Sequence, residues 1–133
     1  MIEHTELRVG NWVADRNSNP QRVNSIINDK GAYVIKYKGG DDRTGDYSGS
    51  LNPIQLNDAT LQKMGFYTDN NFWSFTCIDG GYIELIKCVG GYQLSTTQNP
   101  YGEGEVIKHI HHLQNLVYYL FGIELKFNLY GLN

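Results

Sequence analysis

EVIKHIHHLQNLVYYLF, residues 105–121, decides how the rest of the chain is read. Val106, Ile110, Leu113, Val117 and Leu120 recur at spacings of four, three, four and three, which is one stripe of an α-helix. Gly122 stops that helix. Beyond it Ile123, Leu125, Phe127 and Leu129 alternate with Glu124, Lys126, Asn128 and Tyr130, predicting a half-buried final strand. Working back from the helix, FWSFTC (72–77), YIELIKC (82–88) and YQLSTT (92–97) are strand-like runs. Turns at Asp79-Gly80-Gly81 and Gly90-Gly91 separate them, so an antiparallel meander is expected, with the helix packed over it. Asn57 or Asp58 caps a short helix that carries Leu61 and Met64 and ends at Gly65.

The first 56 residues read differently. ELRVGNWV (6–13) is expected to be a strand kinked at Gly10, and QRVNSII (21–27) and AYVIKYK (32–38) form a hairpin about Asn28-Asp29-Lys30-Gly31. GGDDRTGDYSGS (39–50) has no apolar period and reads as an exposed loop, followed by a short extended stretch at 51–56. Several short, tightly turned strands predict an SH3-like or curled small β-barrel. The expected architecture is therefore α+β over 1–133, a single domain. Its barrel-like subdomain spans 5–56, and a second subdomain, 57–133, holds an antiparallel sheet and two helices.

A hydrophobic share of 41% with 13% aromatics describes a globular chain. Eleven basic residues against 14 acidic give a net charge of -3, which argues against binding nucleic acid through phosphate neutralisation. Such a role would need a local patch built from Arg8, Arg16, Arg22, Lys36 and Lys38. No run approaches the ~20 apolar residues of a membrane span, and MIEHTELRVG has no apolar core of a secretory signal, so a cytoplasmic protein without a membrane role is expected. In the expected hairpin Cys77 lies opposite Ile83 or Glu84 and Cys88 opposite Phe72 or Trp73, too far apart for a bridge, so two reduced, mostly buried thiols are predicted.

Three strings, ELRVGNWV (6–13), PIQLNDATLQKMGF (53–66) and HIHHLQNLVYYLFGIEL (109–125), resemble a small family of Bacteroidota and their phages or prophages. Its members read ELRIGN, PIPLTEEWLLKFGF and VHQLQNLYFALTGEEL in the same order and spacing over nearly the whole length. His111, Leu113, Gln114, Asn115 and Leu116 fall on H-x-L-Q-N-L. Pro53, Ile54, Leu56, Leu61, Gly65 and Phe66 fall on the central motif. The chain departs at Gln55, Phe121 and Ile123, where the family has Pro, Thr and Glu. The resemblance implies a biological setting and no mechanism.

No motif of catalysis is present. His109 and His112 stand at i, i+3, yet there is no H-E-x-x-H and neither cysteine sits in a C-x-x-C, so no metal is expected. No G-x-S-x-G elbow exists, and no catalytic residue and no cofactor are assigned. Gly39-Gly40 and Gly102-Glu103-Gly104 lack the context of a phosphate loop. Asp41, Asp42 and Asp46 lack the spacing of a calcium loop.

The back of the 105–121 helix is more informative. It holds Lys108, His111, His112, Asn115, Tyr118 and Tyr119, where a solvated face would be rich in Glu, Lys and Arg. Such a face packs against something. Either the N-terminal β subdomain covers it, with His111 and Asn115 bonding that backbone, or it is a contact surface for a protein partner or a second copy, or it lines a small-molecule cleft of unknown ligand. Gln114 falls inside the apolar sector and reads as a buried amide. A second candidate surface is an aromatic groove of the barrel, using Trp12, Tyr33, Tyr37 and Tyr47. The binding residues are thus His111, Asn115, Tyr118, Tyr119, Trp12, Tyr33 and Tyr37. The favoured function is a non-catalytic binding or assembly module, a phage-derived accessory protein contacting another protein. The alternatives are a small hydrolase using the histidine-rich helix and a nucleic-acid-binding barrel.

Overall fold

The computed structural model describes residues 2–39, 45–69, 72–77, 81–95 and 103–128. They form two antiparallel sheets and one main helix, an α+β chain grouped into two compact units. The first unit is Met1–Gln55 with His109–Glu124, and the second is Leu56–Lys108 with Leu125–Asn133.

In the first unit a 3-10 turn (His4–Glu6) leads to β1 (Trp12–Ala14), β2 (Pro20–Asp29), β3 (Ala32–Tyr37) and β4 (Asp46–Tyr47), paired in that order. The ten-residue β2 serves two partners. Its start pairs with β1, and beyond a bulge between Val23 and Ser25 its length pairs with β3, which curls the sheet. The β2–β3 connection is a two-residue turn, because Asp29 pairs with Ala32 and both Lys30 (φ 54) and Gly31 (φ 92) have positive φ. A second 3-10 turn (Ser48–Ser50) follows β4, and Asn52 then bridges back to Ala14 with two backbone bonds. Ile2, Val13, Val23, Ile35 and Leu51 form the core, with Leu7, Ile26 and Tyr37 packed on it.

Three expectations for this part change. The strand over 6–13 shortens to β1, because Gly10 (φ 99) takes the backbone out of the extended region. Five residues of the 39–50 loop, 46–50, form a short strand and a 3-10 turn: Asp46 is buried and receives the Tyr37 hydroxyl at 2.7 Å, a partner no local pattern reveals. Asp41 and Asp42 lie outside the described residues. Finally, the long helix, α2, is Ile110–Phe121 and is grouped with this unit rather than with the sheet expected to carry it.

The second unit opens with α1 (Asp58–Lys63). Asn57 caps it by accepting from the Thr60 N–H, while the Thr60 hydroxyl oxygen accepts from the Asn57 N–H. A five-stranded meander follows: β5 (Tyr67–Asp69), β6 (Phe72–Thr76), β7 (Tyr82–Cys88), β8 (Gly91–Ser95) and β9 (Glu103–Ile107). Trp73, Leu85 and Leu94 lie in one register row, and Trp73 and Leu85 are buried with Ile83, Tyr92 and Ile107. The Lys87 ammonium and the Tyr92 hydroxyl both meet the Asp58 carboxylate at the start of α1.

Residues 105–107 were expected in the helix and instead belong to the edge strand β9. Gly104 (φ 82) is unsuited to a helix interior, and β-branched Val106 and Ile107 find a ladder against β8. The meander also pairs two residues closer to its turn than expected. Thr76 faces Tyr82, the Cys77 N–H donates to the Gly81 carbonyl, and Cys88 pairs with Gly91 on β8. Both cysteines are half-buried rather than mostly buried, and neither is in a disulfide. The stretch expected as a final strand is not assigned to one over 123–128. Its alternation survives as burial, with Leu125 and Phe127 covered and Lys126 exposed between them. Leu129 and Tyr130 lie outside the described residues. Among the described residues no helix is long and apolar enough to cross a membrane.

Candidate functional site

Within the first unit the segment 6–12 lies against the first two turns of α2, and nearly every polar group there is matched. Gly10 and Trp12 turn a carbonyl and an N–H to the edge of β1 that faces away from β2. Gln114, fully buried, completes that edge: its Oε1 accepts from the Trp12 N–H at 2.8 Å and its Nε2 donates to the Gly10 carbonyl at 3.2 Å. One amide side chain thus does what a neighbouring strand would do. Asn115 is one residue on. Its Nδ2 donates to the Glu6 carbonyl at 2.8 Å, and its Oδ1 accepts from Asn11 Nδ2 at 2.8 Å and Arg8 Nε at 3.2 Å. Asn11, also fully buried, accepts the Arg8 N–H on its own Oδ1.

Arg8 anchors the far end. Its guanidinium forms a bidentate pair with Glu124 and lies 4.0 Å from the centre of the Tyr118 ring. Glycine suits position 10 on two counts. Its φ of 99 favours glycine, and a Cβ there would run into the Glu124 carboxylate.

His111 is only 2% exposed. Its Nε2 lies 3.4 Å from Glu6 Oε1, its ring is stacked on that of His109 at 5.8 Å, and its Nδ1 has no hydrogen-bond partner. Burial holds the imidazole below its ordinary value against the pull of Glu6, so near neutral pH it is a neutral ring donating to a carboxylate. Glu6 is held low chiefly by the Glu3 N–H, with His111 adding to it. Among the described residues no three His, Cys, Asp or Glu side chains converge as metal ligands.

The residues singled out from sequence therefore divide. His111 and Asn115 turn inward, as Gln114 does. Tyr118 is 42% exposed beneath Arg8, and Tyr119, edge-on to it with ring centres 5.9 Å apart, is 75% exposed. Leu120 (56%) and Phe121 (47%) complete an open last turn, although periodicity had assigned Leu120 to the buried stripe. The aromatics expected to line a barrel groove divide between two sides of the sheet. Tyr33 stacks on His4 at 3.7 Å, and Tyr37, on the same side of β3, bonds Asp46 and packs on the core. Tyr47 sits opposite Val34 on the other side, exposed, and Trp12 is half-buried on β1. Arg8 was read only as part of a basic patch and Gly10 only as a kink, and Asn11 and Glu124 were not singled out as site residues; all four lie within the strings that carry the family resemblance.

Neither protein-family models, curated proteins nor solved structures yield a match to this chain.

Proposed function

We propose that this chain is a non-catalytic binding or assembly module whose contact surface is the last turn of α2. The observation that carries this is a division along one helix. His111, Gln114 and Asn115 are occupied inside the first unit, whereas Tyr118, Tyr119, Leu120 and Phe121 present four successive uncharged large side chains to solvent. Ordinary surface helix ends carry charge, and an aromatic, uncharged turn is the composition of an interface core. The curled sheet supports an SH3-like reading of the first unit: after the 3-10 turn at Ser48–Ser50 the chain returns to β1 through an isolated bridge between Asn52 and Ala14. With the family resemblance, this describes a phage- or prophage-derived accessory protein working in the cytoplasm.

The test compares wild type with Tyr119→Ala/Leu120→Ala, two positions whose side chains are mostly solvent-exposed, as bait in native-host lysate treated with nuclease. A discrete protein retained by wild type and lost by an equally stable variant is expected. Identical recovery by both forms would move the contact surface elsewhere.

A hydrolase reading draws on the His111–Glu6 pair, but at 2% exposure the imidazole is closed to a substrate. A nucleic-acid reading is weakened because Arg8 and Arg16 are already paired with Glu124 and Asp46.

A further inference from the structure

We infer that the outer face of the β1–β4 sheet binds single-stranded nucleic acid, through Arg22, Lys36 and Lys38 with Trp12 and Tyr47 at its corners. This goes beyond the contact-surface reading and concerns a different part of the first unit. Arg8 and Arg16, two of the five cations such a surface was expected to need, are paired with carboxylates, but strand register gathers the other three. Ile35 and Tyr37 pack on the core, so Val34, Lys36 and Lys38 alternate onto the opposite side. Val13 and Val23 place Trp12 and Arg22 on that side in the same way. Three rows result. Trp12 pairs with Arg22, whose carbonyl accepts the Lys38 N–H. Lys36 pairs with Ser25 in the next row, and Ile27, Val34 and Tyr47 make the third. Strands about 5 Å apart and rows about 7 Å apart hold the three cations in one patch.

The sign of that patch selects its occupant. Arg22 and Lys38 stand side by side, an arrangement of like charges that costs a sheet stability. Among the described residues neither side chain has an ion-pair partner, and no carboxylate stands in the three rows. Asp46 turns to Tyr37 on the core side, and Asp29 stands one row further on, at the hairpin end. A chain of net charge -3 thus holds three positive charges on one face, where an anionic ligand relieves their repulsion. The aromatic rings narrow the choice among anions. Tyr47 is 57% exposed at one corner and Trp12 is half-buried at the other, which suits phosphates that carry unpaired, stackable bases. A duplex keeps its bases stacked inside, and an acidic peptide has none to offer.

Fluorescence anisotropy of a labelled oligothymidylate of about 12 nucleotides, titrated with the full chain, tests this. Three neutralised phosphates give a salt slope of about -2, so affinity is expected to fall about 20-fold between about 50 and 200 mM salt. Arg22→Gln/Lys38→Gln, with an unchanged thermal midpoint, is expected to bind more weakly and to lose only about threefold over the same range. Tyr47→Ala removes stacking and no charge, so it is expected to weaken binding about fivefold at an unchanged slope. Absence of binding at low salt would overturn the inference, as would binding that the charge variant leaves intact. A duplex of the same length bound as tightly, or polyglutamate competing as well as the oligonucleotide itself, would overturn the single-stranded occupant. The lysate experiment is run with nuclease and reads α2, so the contact-surface reading stands or falls separately.

Discussion

His111 and Gln114 lie three positions apart on α2, both buried, and they meet opposite circumstances. Gln114 has a backbone partner for each end of its amide, whereas His111 keeps one ring nitrogen without any. A charged imidazole there would bury a second N–H donor with nothing to receive it. Because its folded-state pKa lies below the ordinary 6.5, the unfolded chain takes up this proton more readily than the folded one. The His111 contribution is thus complete above about pH 6.5 and is lost as pH falls below that value. Glu6, also held low, adds a loss in the carboxylate range further down. Urea unfolding at pH 7.5 and 5.5 should show the wild type less stable at the lower pH, and His111→Phe should shrink that difference. An undiminished difference in the variant would assign the titration to another group. At this scale the sequence was partly legible. The helical wheel read Gln114 as a buried amide, since that needs only its own helix. It could not give Asn11 or Arg8 their roles, because the Asn115 oxygen they share is more than 100 positions away and no local period records such a bond.

The β2–β3 hairpin and the start of α2 show how far local rules reach for whole elements. In the hairpin, strand residues and turn chemistry agree, and the pair forms where it was expected. One residue is ill-suited to it: Lys30 holds a left-handed φ of 54 at the first turn position, where Asn or Gly is favoured. Lys30→Asn should raise unfolding stability by about 0.5 kcal/mol, and Lys30→Val should lower it by about 1 kcal/mol, both read from thermal or urea midpoints. Equal midpoints would mean the turn relaxes at no cost. The start of α2 illustrates the opposite case. No Ser, Thr, Asp or Asn marks it, and the His109 side chain at the cap position makes no capping bond to the helix. The four-residue spacing from Val106 to Ile110 therefore extended the helical stripe into what is β9. Only the ladder from β8 makes 103–107 a strand, and that ladder is a tertiary opportunity rather than a local preference.

The first unit is discontinuous in sequence, which gives the whole molecule a testable dependence. Without α2, Gly10 and Trp12 would lose the amide that completes their edge, and Glu6, Arg8 and Asn11 would lose Asn115. A chain of about 55 residues is already marginal. A fragment of residues 1–56 should therefore give the collapsed NMR dispersion of an unfolded chain, and a peptide of residues 108–125 added in trans should restore a dispersed spectrum. A folded 1–56 alone would show α2 to be an accessory. The sequence by itself determined the α+β class, the strand-rich turns, a cap at Asn57 or Asp58 and the helix stop at Gly122, because each depends on composition or on neighbours within a few positions. Tertiary structure alone decided which unit claims the long helix, that Asp46 is buried, and that the polar back of α2 divides into an inward half and an exposed aromatic turn. Those outcomes follow from contacts between distant residues, and burial is a property of what a side chain meets, not of what it is.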